Sequence, residues 1–235
     1  MTDPLVSVVV PVYNGERFLG EALESVCWQT YRHFEIIVVD DGSTDRSWGI
    51  ASACRGVRGF QQDNLGPSAA RNLALEHARG SLVAFLDADD IWTPDKLRVQ
   101  VDAMLAAGSR FTTTWMREVL EPGTVLPAGW GRGIPIGEAS PVGVPSSWVV
   151  ERGLFDEAGV FDVSYRKWED LEWTARAEGV GVAPMAVPEV LLLRRLHGAN
   201  ASMDPAGGNP ALLRVLRQRL HAREQPVAEA RDGGR

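Results

Sequence analysis

The sequence predicts an α/β domain with a Rossmann-like, mostly parallel central sheet flanked by helices. Three observations carry this. Leu5 to Val12, Phe34 to Val39 and Leu82 to Leu86 are β-branched or apolar runs of strand length with almost no charge, the pattern of strands buried on both faces. Each is followed across a short polar joint by a segment with helical apolar spacing, as the β-α units of a parallel sheet require. The second and third runs stop on acid, at Asp40-Asp41 and Asp87-Ala88-Asp89-Asp90, where open α/β sheets hold their ligands.

Taken in order, the first run contains Pro11, which lacks an N–H and so predicts the strand's end. Asn14-Gly15 predicts a turn, with Asn14 capping a helix that carries Phe18, Leu19, Ala22, Leu23, Val26 and Cys27 on one face. After the second run, Ser43 or Thr44 is expected to cap a helix containing Trp48 and Ala51. Val57 to Phe60 reads as a short third strand. Pro67 suits the first position of a helix through Ala78, closed by Gly80, with Arg71 near the end that favours anions. Beyond the central strand at Leu82 to Leu86, Thr93-Pro94 opens a helix with Leu97, Val101, Met104 and Leu105 on one face and Gly108 at its end. Arg110 to Met116 is strand-like.

Six glycines and four prolines between Glu121 and Val144 predict a long loop, a length usually tied to function, and Trp130 is expected there as an exposed stacking surface. Ser146 to Val150 returns to strand character, and Glu151 to Ala158 is a short helix ended by Gly159. Lys167 to Arg176 starts a helix with acids at its positive end, closed by Gly179. Val180 to Val187 and Glu189 to Leu193 read as two late strands, His197 to Ser202 as a polar loop and Pro210 to Glu224 as a helix. The tail from Gln225 to Arg235 is expected to be disordered.

Bulk properties exclude several classes. A chain of 235 residues, 45% hydrophobic and 23% charged, has the composition of a soluble globular protein. Its net charge of −7 supplies no basic field for nucleic acid or an anionic membrane. Met1-Thr2-Asp3-Pro4 leads directly into a strand, so no leader is expected. No apolar run reaches the roughly 18 residues a spanning helix needs. Cys27 and Cys54 lack metal-site spacing and read as buried small hydrophobes in a reducing compartment, so the expected location is the cytoplasm, in solution or peripheral to a membrane.

The acidic turns carry the chemistry. Asp87, Asp89 and Asp90 repel one another and invite a cation; hard oxygen ligands suit Mn²⁺ or Mg²⁺, and few protein ligands leave room for phosphate oxygens. The plainer alternative is an acidic loop capping the next helix. Asp40 or Asp41 could accept a nucleoside hydrogen bond or serve only turn chemistry. Arg71 could neutralise a diphosphate or form a structural ion pair, and the arginines 214, 217, 219 and 223 read as a solvated helix face.

In this order Val6 to Asn14, Val38 to Asp45, Gly66 to Asn72 and Phe85 to Asp90 resemble family 2 glycosyltransferases, inverting enzymes with the GT-A fold. Gly159 to Asp162, Glu169-Asp170 and His197 to Ser202 extend the resemblance across roughly residues 5 to 202. It implies one domain, 1–224, with a nucleotide-sugar half at 5–116, an acceptor-binding and catalytic half at 117–209 and a C-terminal helix at 210–224. It implies that Pro11, Tyr13 and Asp41 line the nucleoside pocket, and that Asp87 and Asp89 form the Asp-x-Asp motif. Within that motif Asp87 is expected to meet ribose or metal-bound water, and Asp89 to ligate Mn²⁺ or Mg²⁺ with His197. Asp170 matches the catalytic base. The implied partners are a nucleotide-sugar donor, a UDP-sugar by resemblance, and an acceptor saccharide, lipid carrier, peptide or small molecule. Trp130, Trp168 and Glu169 are the acceptor-contact candidates. Two alternatives stand beside it: a non-catalytic nucleotide-sugar-binding protein, which the complete set Asp87, Asp89 and Asp170 disfavours, and a sugar nucleotidyltransferase. The latter needs a glycine-rich basic loop where Val12 to Arg17 has one glycine.

Overall fold

A computed structural model describes residues 3–127, 130, 135–141, 143–200 and 203. The expected helix at 210–224 and the tail beyond it lie outside the described residues.

The first half is built as β1 (Val6–Val12), α1 (Leu19–Cys27), β2 (Phe34–Asp40), α2 (Ser47–Ala53), β3 (Val57–Gln61), α3 (Pro67–His77) and β4 (Leu82–Phe85). β1 pairs in parallel with β2 and β4, and β2 in parallel with β3, giving the order β3-β2-β1-β4. The chain thus builds outward from β1 on one side and then crosses to the other. The resulting switch point opens a crevice at the carboxyl ends of β1 and β4.

β1 is buried along its whole length. Val6, Val8, Val10 and Val12 face α1 and α4, while Val9 faces the opposite core, the alternation that two-sided burial demands. Pro11 does not end the strand. The pairing of β1 with β4 stops at Val9, so the missing N–H of Pro11 points to a side already vacated, and β1 runs on beside β2. Gly80 sits where backbone crosses backbone: a Cβ there would lie 2.5 Å from the Leu5 carbonyl oxygen.

The second half is β5 (Ile91–Trp92), α4 (Lys96–Ala107), β6 (Phe111–Leu120), β7 (Ala139–Ser140), a 3₁₀ turn at Pro145–Ser147, β8 (Trp148–Glu151), α5 (Leu154–Ala158), α6 (Glu169–Gly179) and β9 (Met185–Leu196). The sheet continues β4-β8-β6-β9-β5, with β7 on β6. β8 is antiparallel to β4 and β6, while β9 is parallel to β6, so the parallel character belongs to the first half and the second is mixed. The two late strands expected from the sequence are one, β9, accommodated by a register shift against β6 near Thr114 and Trp115.

The cysteine expectation is corrected. Cys27 is exposed and Cys54 half-buried, and burial together with the neighbouring Cys27 pushes the Cys54 thiol up. Cys27 closes α1 at the surface end of its apolar stripe, beside the Cys54 thiol that follows α2.

An aromatic cluster fastens α5 and α6 to the sheet. Phe85 of β4 meets Trp148, Phe155 and Phe161 edge-on at 5.5–6.2 Å, and Trp173 of α6 packs on Phe155 at 4.5 Å. This contact sets the start of α6 beside the carboxyl end of β4.

Candidate active site

Two clusters of polar side chains occupy the switch-point crevice. The first joins β4 to α6. Arg71, on α3, is 3% exposed and bridges two carboxylates: Nη2 to Asp87 Oδ1 at 2.8 Å and Nη1 to Glu169 Oε1 at 2.7 Å. Both terminal nitrogens of the guanidinium are thus taken by carboxylates, while Nε is buried without a hydrogen-bond partner. Asp170 follows Glu169 in the first turn of α6. Its Oδ1 accepts the Leu171 N–H at 2.8 Å. Burial, with Glu169 beside it, pushes the Asp170 pKa up to about 6 against the pull of that hydrogen bond and of Arg71. A carboxylate so raised is ionised at neutral pH yet basic enough to take a proton.

Trp168 precedes this pair in a left-handed conformation, φ +69°, which a bulky side chain adopts only when its surroundings force it. It is half-buried, and its indole Nε1 is buried without a hydrogen-bond partner.

The second cluster joins the acidic turn to the end of β9. His197 Nε2 and Asn200 Nδ2 each lie 3.0 Å from Asp89 Oδ2. His197 Nδ1 accepts the Ala199 N–H at 3.3 Å, so Nε2 carries the proton donated to Asp89. The Asp89–His197 spacing fits two neighbouring positions on an octahedral ion, for which metal–ligand bonds of about 2.1 Å place cis donors roughly 3 Å apart. Among the described residues no group of three or more His, Cys, Asp and Glu is gathered to hold a metal. Two protein ligands suit an ion that takes its remaining ligands from substrate phosphate and water.

Asp90, the third acid of the turn, faces inward and is buried. Burial, with Asp89 and Asp87 close by, holds its carboxyl well above the usual range. Its oxygens take the Arg195 N–H at 3.2 Å and the Ser146 hydroxyl, while Ser146 Oγ accepts the Asp87 N–H at 3.0 Å. Arg195 Nε donates to the Asp89 carbonyl at 3.1 Å.

Past the end of β2, the wall of the crevice is built around Asp41. Its Oδ1 accepts Gln62 Nε2 at 2.7 Å and the Leu65 N–H at 2.9 Å; its Oδ2 accepts the Gly66 N–H at 2.8 Å. Asp41 thus fixes the loop before α3 with both oxygens, and a nucleobase N–H would have to share one of them. Asp40 is wholly buried and serves its own turn through the Ser43 N–H at 3.0 Å. Tyr13, just past β1, is 52% exposed, and Pro11 is buried behind it.

The capping expectations are corrected. Asn14 does not cap α1 but stands at φ +50° and accepts the Thr44 N–H at 2.8 Å, while Ser43 Oγ accepts the Asn14 N–H at 2.9 Å. Asp45, rather than Ser43 or Thr44, serves the first turn of α2 through the Ser47 N–H at 2.9 Å. Trp130 is half-buried, not an exposed platform, with its Nε1 3.4 Å from Glu118 Oε2 on β6; residues 128, 129 and 131–134 beside it lie outside the described residues.

The structure therefore brings Asp87, Arg71, Glu169 and Asp170 together, and separately Asp89 with His197. The sequence reading did not single out Asn200, Arg195 or Ser146. The three-residue spacing from His197 was a signal for Asn200; nothing local marked the other two.

The Glycosyl transferase family 2 profile matches residues 7–125, just over half of the chain. An uncharacterised glycosyltransferase of Rickettsia felis is 34% identical over 223 residues, covering 91% of this chain and 36% of its own length. The Escherichia coli UDP-Glc:alpha-D-GlcNAc-diphosphoundecaprenol beta-1,3-glucosyltransferase WfgD is 40% identical over 108 residues, 45% of this chain and 43% of that protein. The chain spans 36% of the length of the R. felis protein and 37% of a second relative from Rickettsia conorii, about a third of each. The crystal structure of S. aureus TarS 1-349 in complex with UDP-GlcNAc superposes with a TM-score of 0.75 at 22% identity, covering 92% of this chain and 66% of that one. At that identity the likeness concerns the fold, which is GT-A. By the match across its first half, the chain belongs to glycosyl transferase family 2.

Proposed function

We propose that this chain is an inverting, divalent-metal-dependent glycosyltransferase that moves a sugar from a nucleoside diphosphate donor, a UDP-sugar, to an acceptor hydroxyl. The observation that carries the reading is the Arg71 bridge. It ties Asp87, at the donor end of β4, to Glu169, the neighbour of a carboxylate whose pKa is raised to about 6.

In the step this supports, Asp170 takes the proton of the acceptor hydroxyl as that oxygen bonds to C1 of the sugar. The bond from C1 to the phosphate oxygen breaks, and the nucleoside diphosphate departs from the opposite face. One displacement with one base inverts the anomeric centre. Tyr13 and Asp41 hold the nucleoside, with Pro11 forming the wall behind them, and Asp87 orients the ribose. Asp89 and His197 hold Mn²⁺ or Mg²⁺, and the chemistry such an ion supplies is neutralisation of the leaving diphosphate. Arg71 keeps Asp87 and Glu169 in place and so fixes where Asp170 stands. Trp168, whose indole N–H has no partner, and Trp130 are the proposed acceptor contacts. The acceptor is a saccharide, and a lipid-diphosphate-linked saccharide is favoured by the name of the E. coli relative. Among the described residues no helix is long and apolar enough to cross a membrane.

The test is thermal stability against UDP, GDP, CDP and dTDP and their sugars, with and without Mn²⁺. A ligand at ~100 times its Kd stabilises by about 2.7 kcal/mol, a shift on the order of 5–10 °C for a chain of this size. A shift confined to uridine nucleotides and dependent on Mn²⁺ supports the reading. No shift with any nucleotide, or the same shift in an Asp89→Ala variant, overturns it.

A further inference from the structure

Asn200 has no part in the step above, yet its amide is fully used. Oδ1 accepts the His197 N–H; Nδ2 gives one hydrogen to the Arg195 carbonyl at 3.0 Å and the other to Asp89 Oδ2 at 3.0 Å. The partners fix which way the amide faces, since Arg195 offers only an acceptor and His197 only a donor. The Asn200 N–H also closes the turn on the His197 carbonyl at 3.1 Å. A turn needs the bonds to His197 and Arg195; it does not need the bond to Asp89.

We infer that Asn200 is a positioning residue for the divalent cation: it locks Asp89 Oδ2 and His197 Nε2 into the pair that holds the ion. The inference rests on the reading of Asp89 and His197 as the metal-holding groups. Without the amide, the Asp89 carboxylate is free to turn about its terminal torsion, and one of the two groups that hold Oδ2 is gone. The same amide fixes the backbone of His197, whose ring is held on its other side by Phe18 at 4.7 Å between centroids. Groups that orient metal ligands in this way typically change metal affinity by about 10–100-fold when removed.

The experiment titrates the full chain with Mn²⁺ in the presence of UDP and counts free Mn²⁺ from its electron paramagnetic resonance signal. Parent, Asn200→Ala and Asn200→Ser are compared; the serine keeps an oxygen for the turn but offers no amide to Asp89. Thermal midpoints without metal, and UDP affinity without metal, are recorded alongside. The expected result is a Kd for Mn²⁺ about tenfold weaker or more in both variants, with both metal-free quantities near those of the parent. If alanine weakens the fold, the serine variant decides. Parent-like Mn²⁺ affinity in the variants overturns the inference and leaves the metal reading standing, as does a loss of stability with no loss of Mn²⁺ affinity. A parent that binds no Mn²⁺ with UDP overturns the metal reading itself, and this inference with it.

Discussion

In the proposed role of base, Asp170 stands at a point where catalysis and stability pull in opposite directions. Its pKa is raised in the folded chain to about 6 from the ordinary 3.8, so between these values the folded state holds a proton that the unfolded state has released. The neutral carboxyl therefore favours folding below pH 4, and that contribution is lost as pH rises through 6. The Asp170→Asn variant is predicted to lose about 10²–10⁴-fold in kcat while its thermal midpoint at pH 8 rises by about 2–4 °C. The gain should vanish near pH 3.5. A midpoint below that of the parent at pH 8 would show that Asp170 is held by a favourable partner. In the parent, kcat/KM should fall tenfold per unit as pH drops below about 6. Arg71 is the complementary case. Its removal leaves Asp87 and Glu169 facing each other without a counter-charge, and breaking a buried pair costs about 3–5 kcal/mol. Urea unfolding of Arg71→Met should show a loss of that size; a loss under about 1 kcal/mol would mean that water replaces the guanidinium and that the bridge does not hold α6 to β4.

At the level of elements, what could be read from the sequence follows from how local each interaction is. β1, β2 and β4 were legible because burial on both faces forces unbroken apolar runs. Pro67 opens α3 and Gly108 closes α4 as expected, since both obey rules confined to a single turn. The loops after β1 and β2 were misread because their partners lie about thirty residues away: Asn14 bonds Thr44, and Asp45 bonds the Glu16 N–H at 2.9 Å. The candidate site divides the same way. Carboxylates at strand ends announced themselves by type, whereas Asn200 meets Asp89 only through the fold of β9. Gly66 tests the element that links α3 to the proposed nucleoside pocket. It has φ +97° and ψ 168°, a conformation almost restricted to glycine, and its N–H bonds Asp41 Oδ2. Gly66→Ala should cost about 1–3 kcal/mol and weaken UDP binding measured by calorimetry. Unchanged UDP affinity in a folded variant would detach this loop from the pocket.

For the molecule as a whole, the proposed division into a nucleotide-sugar half at 5–116 and an acceptor half at 117–209 is one of roles only, since the packing argues against two folding units. β4, in the first part, pairs with β8 in the second, and β6 crosses the boundary while pairing with β9 over most of its length. Phe85 loses its Trp148, Phe155 and Phe161 neighbours if the chain is cut there. Lys96 is wholly buried, its Nζ 4.0 Å over the Trp92 ring and 3.3 Å from the Trp148 carbonyl; burial drives its pKa well down, and the second half is what seals it from water. Arg71 would keep one of its two carboxylates. A fragment of residues 1–116 would expose an open sheet edge at β4, a condition under which chains aggregate. We therefore predict a single cooperative transition for the full chain, in which tryptophan fluorescence, to which the buried Trp92, Trp148 and Trp173 contribute, and far-ultraviolet circular dichroism share one midpoint. The 1–116 fragment should show no cooperative transition and should bind UDP at least tenfold more weakly, because the turn at Asp87 to Asp90 loses Ser146, Arg195, His197 and Asn200 together. A fragment that unfolds cooperatively and keeps the affinity of the full chain for UDP would mean that the second half only covers a site the first half builds alone.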